Sequence, residues 1–364
     1  MDIKAAVTNG AGSAFSIETV QMDDPRDNEI LVRIKATGIC HTDLSARNQY
    51  IPFPLPGVLG HEGAGIVEKV GSAVTKVKPG DHVTLSWLSC GVCDACRSGN
   101  NVYCKDFLKL NFGGVRQDGT TTMSRGGKPL HGSFFGQSSF ASHALVIEDN
   151  IVKVTDSVPI EIMGPLGCGV MTGAGAVMNS LKAGPGSSIA VFGAGTVGMS
   201  AVMAAKVCGC TTIIAVDVKK NRLDMALELG ATHVVNSKDV DPVKTILEIT
   251  KGGPNFSLEC VGNPKIFRQA VDILPLMGVA GLVGVVAPGT EVTLDMNLIM
   301  NGRTIKGIIE GDAVPDLFIP KLIELKEQGR FPYDKLIKYY PFAEINQAVE
   351  DMEKGVVIKP VLTQ

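Results

Sequence analysis

The chain has 364 residues, 45% of them hydrophobic and 20% charged, with a formal net charge of -3. That near-neutral balance argues against nucleic acid or an anionic membrane as the main partner. There is no basic leader followed by an apolar run and no uninterrupted apolar stretch long enough to span a bilayer, so the expectation is a chain with no membrane partner. An odd cysteine count of nine fits free or metal-bound sulfur better than a disulfide framework, and points to the reducing cytoplasm.

The length predicts about two domains. Residues 1 to about 150 carry short alternating runs: Ile3–Val7, Glu29–Gly38, Gly63–Gly71, Asp81–Trp87 and Phe140–Ile147. Gly, Pro and Asp separate them, which predicts a mostly β, barrel-like unit. The segment Cys90–Cys104 reads as a loop within it.

From about Leu181 the rhythm changes. The apolar run Ser187–Phe192 is followed by a helical stretch, Met199–Gly209, then the run Thr211–Asp217 and a helical stretch that ends at Gly230, a plausible C-cap. Thr232–Asn236, Val243–Thr250, Phe256–Val261, Phe267–Leu274 and Val279–Val285 continue the alternation, the pattern of a doubly wound parallel sheet, so the class is α/β. The last fifty-odd residues carry two helical patterns and a short run, Val357–Leu362, which suits a return of the chain to the first domain.

Between the run Ser187–Phe192 and the helix lies Gly193-Ala194-Gly195-Thr196-Val197-Gly198, a G-x-G-x-x-G. Alone it is weak in a chain with 42 glycines, and Gly173-Ala174-Gly175 is a decoy that ends in Met178. Context separates them: only Gly193 follows an apolar strand and only Gly198 opens a helix, the arrangement that presents N–H groups and a helix dipole to a pyrophosphate. Asp217 ends the next run, nineteen residues after Gly198. A carboxylate there accepts the adenosine ribose hydroxyls and repels a 2′-phosphate, which favours NAD over NADP. The bland alternative is a Gly-rich turn followed by a chance acid.

Cys90, Cys93, Cys96 and Cys104 are spaced C-x2-C-x2-C-x7-C. This is a metal pattern, most simply a closed tetrahedral zinc site that folds a loop and does not catalyse. An iron–sulfur cluster and a zinc-ribbon interaction module remain open on spacing alone. Cys40, His61 and Cys168 supply the two sulfurs and one imidazole of a catalytic zinc with an open corner, but a scattered Cys is more often a small core residue and spacing alone does not choose.

Residues 60–74 read G-H-E-x2-G-x5-G-x2-V; "GICHTD" precedes them, and the four-cysteine segment, "GPLGCGV", the Gly-rich turn and Asp217 follow in order. In these motifs, over essentially its whole length, the chain resembles zinc-containing medium-chain alcohol dehydrogenases. Through CHTDL, SSFASHAL, GPLGCG and AKVCG it is most similar to the bacterial aryl-alcohol branch. The resemblance implies a GroES-like β catalytic domain over residues 1–169 and 310–364 and an inserted Rossmann domain over 170–309. It implies two Zn2+ per chain, a catalytic one on Cys40, His61 and Cys168 and a structural one on the four clustered cysteines. Thr42 then belongs to a proton relay, Asp43 orients His61, and Glu62 sits behind the catalytic metal. His41, Thr172, Gly193, Gly195, Thr196, Val197, Gly198, Asp217, Arg222, Val283 and Lys359 are implied to contact NAD, with Lys359 reaching the pyrophosphate.

Two positions depart from the family pattern. Ser45 stands where many relatives place a relay His, so proton release is expected to run through water. His41 stands where relatives often have Arg, and its lower charge is expected to weaken NADH binding. Ile51, Trp87, Phe134, Phe135, Val285 and Ile309 match pocket-lining positions and form a mainly apolar slot. This favours benzyl-type primary aromatic alcohols and their aldehydes, with allylic and aliphatic alcohols as alternatives. A glutathione-dependent formaldehyde dehydrogenase would want a polar side chain where Ile51 stands. A zinc-ribbon nucleotide-binding protein with no enzymatic activity would need the four-cysteine segment and not the scattered ligands. Relatives form dimers or tetramers, so a homodimer or homotetramer is expected.

Overall fold

The computed structural model describes residues 1–364. It divides into two compact units, one of residues 1–168, 314–321 and 334–364, the other of residues 169–313 and 322–333.

The first unit is built on two largely antiparallel sheets. One has five strands in the order Gly57–Val58, Asp2–Thr8, Ser16–Met22, Met123–Arg125, Lys128–Leu130. The other runs Ile151–Lys153, His82–Leu85, Glu62–Val70, Glu29–Gly38, Lys359–Thr363, Ile337–Pro341, with His143–Ile147 also paired to Glu29–Gly38. Alternation along Ile30, Val32 and Ile34 turns one face of the central strand inward, where it meets Val67, Val83, Leu85 and Val146. The C-terminal strand lies antiparallel to Glu29–Gly38, with Val361 opposite Gly38. Gly38 is in turn opposite Glu62. The four-cysteine segment projects as a lobe of short helices, Asp94–Arg97, Asn101–Tyr103 and Phe107–Phe112.

The second unit holds a six-stranded, all-parallel sheet in the order His233–Asn236, Thr212–Asp217, Ser188–Phe192, Phe256–Glu259, Val279–Leu282, Thr304–Gly307. Its inner strands Ser188–Phe192 and Thr212–Asp217 are near-continuous apolar runs, as a sheet covered by helices requires. Ala190, Phe192, Ile214, Val216 and Val235 pack against Ile246, Ala270 and Ile273 from two of those helices. Both helices start at side-chain caps: Asp241 accepts from Val243 and Lys244, and Asn263 from Lys265 and Ile266. The helix Lys220–Leu229 stops at Gly230, whose φ of +126° favours glycine. The decoy glycines lie inside the helix Gly169–Gly175, where a Cβ on Gly173 would fall 2.0 Å from the Val197 carbonyl oxygen. They are glycine for helix packing and form no phosphate loop. No single helix is long and apolar enough to cross a membrane.

Candidate metal and dinucleotide sites

Cys40 caps the short helix His41–Arg47 from an extended backbone, and Asp43 is the third residue of that helix. The Asp43 carboxylate is completely buried and accepts three hydrogen bonds, from the Cys40 N–H (2.9 Å), the Gly60 N–H (3.1 Å) and His61 Nδ1 (2.8 Å). One carboxylate therefore ties the Cys40 turn to the His61 strand and fixes the imidazole with Nε2 as its free lone pair. Nε2 lies 3.2 Å from Cys168 Sγ. Cys168 follows the turn Gly164–Gly167, which presses onto neighbouring strands so closely that a Cβ on Gly167 would lie 1.9 Å from the Leu85 carbonyl oxygen. The donor atoms of Cys40, His61, Glu62 and Cys168 all fall within 4.8 Å of one another.

The charges fit a cation. A hydrogen bond from Cys168 holds the Cys40 thiol well below its ordinary range, although burial opposes this. Burial works against charge on His61 too, yet the Asp43 carboxylate and the Cys40 sulfur raise its pKa well above the usual imidazole value. A site that draws positive charge onto a buried imidazole suits a dication bound by two sulfurs and a nitrogen. Thr42 Oγ1 lies 3.7 Å from Cys40 Sγ at the edge of the cluster, and His41 is exposed.

Lys359 turns into the first unit. Its side chain is buried, and Nζ donates to both oxygens of Glu62 at 2.8 Å and to the Ile39 carbonyl at 3.0 Å. Its three N–H donors thus meet three acceptors within the first unit. Burial opposes its charge, but the Glu62 carboxylate keeps the ammonium pKa raised.

In the lobe, the four sulfurs also lie within 4.8 Å of one another, and none of the nine cysteines is in a disulfide. Backbone N–H groups point at the sulfurs: Cys93 N to Cys90 Sγ and Cys90 N to Cys104 Sγ at 3.3 Å, and Asp106 N to Cys104 Sγ at 3.4 Å. Backbone donors from Cys96 and Lys105 bring the Cys93 thiol down to about 6, whereas burial pushes Cys104 up to about 12. The first value describes a thiol already ionised at neutral pH, the usual state of a metal-binding sulfur.

The Gly-rich turn of the second unit has the shape of a dinucleotide cradle. Gly193 adopts φ +95°, and a Cβ on Gly198 would lie 1.8 Å from the Gly193 carbonyl oxygen, so strand and helix meet backbone to backbone. Gly195 caps the helix Thr196–Val207 and has nothing within 4 Å of its Cβ direction, which leaves the helix N-terminus open to an anion. Thr196 and Val197 form the first turn. Asp217 Oδ2 accepts from the Ala194 N–H (2.8 Å), and Oδ1 from the N–H groups of Val218 (2.7 Å) and Lys219 (2.9 Å). Asp217 thus holds the Gly-rich turn, and Arg222 lies 3.8 Å from it. The Thr172 hydroxyl donates to Glu310 at 3.0 Å, and Val283 sits half-buried at the end of its strand.

The sequence reading passed over Glu259. It ends the strand Phe256–Glu259 as Asp217 ends Thr212–Asp217, and it is fully buried. Its Oε1 accepts from the N–H groups of Val261 and Gly262 at 2.8 Å, pinning the turn beside Gly193. An acid at the end of an apolar run was the available signal.

Of the six expected pocket residues, Ile51, Trp87, Phe134 and Phe135 lie in the first unit and Val285 and Ile309 in the second. Phe135 stacks on His61 at 4.5 Å between ring centroids, and Trp87 reaches the same aromatic group through Phe107. The Trp87 indole N–H is buried without a hydrogen-bond partner. Phe134 departs from expectation. It has no accessible surface and is enclosed by Phe53, Phe112, Phe135 and His61, so it is core support behind the lining. Ile51 is half-buried, while Val285 and Ile309 are exposed.

Comparison with known proteins matches residues 26–156 to the alcohol dehydrogenase GroES-like domain and residues 196–326 to the zinc-binding dehydrogenase domain. The chain is 44% identical over 362 residues to a geraniol dehydrogenase of Castellaniella defragrans, spanning 99% of this chain and 97% of that protein. Among solved structures it is similar to benzyl alcohol dehydrogenase from Acinetobacter calcoaceticus (50% identity, TM-score 0.97). It is also similar to an alcohol dehydrogenase zinc-binding domain protein from Burkholderia ambifaria (53%, TM-score 0.98). Each alignment covers 100% of this chain and 99% of the other.

Proposed function

The chain belongs to the zinc-containing alcohol dehydrogenase family, and from that premise we propose that it oxidises primary aromatic, benzyl-type alcohols reversibly to aldehydes, with NAD as hydride acceptor. The observation that carries the substrate class is the aromatic wall at the metal cluster: Phe135 stacked on His61, with Phe107 and Trp87 behind it. A flat ring gains both burial and ring–ring contact there, and the product carbonyl conjugates with it. The likeness to a geraniol dehydrogenase favours a second reading, allylic alcohols, which share the unsaturated carbon beside the reacting one.

Cys40, His61 and Cys168 would hold the catalytic ion, with Asp43 fixing the ring of His61. When bound, zinc acts as a Lewis acid that acidifies the alcohol or polarises the aldehyde. The Thr42 hydroxyl takes up the substrate proton and passes it on; with Ser45 in place of a stronger base, release continues through water. The cysteines of the lobe hold a second, structural zinc. Gly193, Gly195 and Gly198 give the backbone approach for the pyrophosphate. Asp217 faces the adenosine ribose, and its charge disfavours a 2′-phosphate, which supports NAD over NADP. The domains we assign are 1–169 with 310–364 for catalysis and 170–309 for the dinucleotide. A homodimer or homotetramer is supported by the edge strand Thr304–Gly307 and the exposed Leu276, Met277, Met296, Met300 and Ile305 around it, an apolar edge that needs covering. Nine thiols without a disulfide support a cytoplasmic location.

The test is steady-state turnover with NAD on benzyl alcohol, an allylic terpene alcohol, aliphatic alcohols and S-hydroxymethylglutathione. Benzyl alcohol is expected to exceed a linear alcohol of equal carbon number by about tenfold in kcat/KM, about 1.4 kcal/mol. Equal values would end the aromatic assignment, and a lead for the allylic substrate would install the second reading.

A further inference from the structure

Glu62 poses a problem for an open metal site. Its carboxylate lies within 4.8 Å of the donor atoms of Cys40, His61 and Cys168, close enough to be a fourth ligand. A fourth protein ligand would close the tetrahedron, and closed zinc sites do not catalyse. Something must hold this carboxylate aside.

We propose that Lys359 is the positioning residue that holds Glu62 out of the metal's fourth corner, so that the C-terminal strand keeps that corner open for substrate. The inference rests on the assignment of Cys40, His61 and Cys168 as the metal ligands. Lys359 Nζ binds both carboxylate oxygens of Glu62 at 2.8 Å, and its third hydrogen goes to the Ile39 carbonyl, one residue before Cys40. Neither side chain has appreciable exposure, 3% for Lys359 and none for Glu62. The ammonium is fixed by the sheet: Ile39 N–H donates to the Pro360 carbonyl at 3.0 Å, and Val361 pairs with Gly38. Gly38 completes the berth, because a Cβ there would fall 1.9 Å from Glu62 Oε2. Without the lysine charge, a buried carboxylate is left uncompensated. The nearest cation able to neutralise it would then be the metal, which accepts carboxylate oxygen among its ligands.

The experiment uses the full-length protein with cobalt in the catalytic site and imidazole as an external ligand, read by the visible ligand-field spectrum. The lobe site is closed and does not respond to imidazole. Wild type is expected to bind imidazole. Lys359→Met should weaken that binding by about tenfold or more, with a cobalt spectrum already shifted before imidazole is added. Lys359→Met combined with Glu62→Gln should recover wild-type binding, which a merely structural defect would not do. Lys359→Arg, with two parallel donors for the carboxylate, should stay close to wild type. Should Lys359→Met fail to fold, Lys359→Gln, which keeps an amide NH2 donor group without the charge, should show the same loss in smaller measure. Wild-type imidazole binding in either soluble single variant, or no recovery in the double variant, overturns the proposal while leaving the metal assignment intact. A wild-type cobalt spectrum without thiolate ligation at this site overturns the assignment and the proposal together.

Discussion

The four-cysteine lobe and the Cys40–His61–Cys168 cluster use the same sulfur chemistry by opposite routes. In the lobe all donors come from fifteen consecutive residues and lean on their own backbone N–H groups. In the cluster they come from three distant segments, drawn together by the buried Asp43 carboxylate and by a Gly-rich turn packed onto a strand. A local cage has little core of its own, so its metal is part of its folding energy. A cage assembled by the sheets exists because the domain has folded, and its metal is free to serve chemistry. A donor set scattered over the chain is thus a mark of function where a compact one is a mark of structure.

The sharpest way to break this contrast is to remove one ligand from each site. Cys168→Ala is expected to lower kcat by on the order of 10³-fold, equivalent to about 4 kcal/mol of lost transition-state stabilisation. Metal analysis should fall from two zinc per chain to one while the thermal transition stays in place. Retention of turnover would remove the cluster from catalysis.

The reciprocal change is Cys104→Ser. Its sulfur is buried and takes backbone donors from Cys90 and Asp106. One zinc should again be lost, but here the lobe should open to limited proteolysis between Cys90 and Cys104 and the melting temperature should drop. Turnover per mole of catalytic metal should be unchanged. A protease-resistant lobe without zinc would show that its short helices are self-sufficient.

Asp43→Asn sharpens the comparison from within the cluster. The carboxylate satisfies three donors, and an amide oxygen cannot replace both of its oxygens. The substitution removes no ligand, so the expected loss is intermediate, about 10- to 100-fold in metal affinity or activity. Equilibrium dialysis of zinc against a chelator separates the two effects; unaltered affinity together with unaltered activity would deny Asp43 its orienting role.

The same local-versus-distant contrast explains what could be read from the sequence. The lobe and the Gly-rich turn were legible because their donors are consecutive and the strand–turn–helix order around Gly193 is itself a local pattern. Cys40, His61 and Cys168 carried no spacing signal, and only the family resemblance grouped them before the fold did. The Glu62 contact of Lys359 was not legible because its direction depends on which strand the C-terminal run joins; pairing beside Gly38 aims it at Glu62. The enclosure of Phe134 was not legible because matching a pocket position in sequence says nothing of the rings around it. Glu259 repeats the strand-end acid of Asp217, but no Gly-rich turn follows it to mark the position.

The smallest effect is expected at Ser45, half-buried on the helix that starts at Cys40. A serine hydroxyl has no titration near neutral pH and cannot serve as the terminal base of a relay. If proton release runs from Thr42 to water, Ser45→Ala leaves the pKa that governs kcat/KM where it was, and changes the rate only modestly. Ser45→His, by contrast, supplies a group that titrates near neutrality and should add its own inflection to the pH–rate profile. The pair of variants measures how far the cluster's chemistry depends on residues beyond its ligands. A controlling pKa displaced by the alanine would place the serine inside the relay, and the distinction between a holding shell and a working proton path would have to be drawn one turn further along this helix.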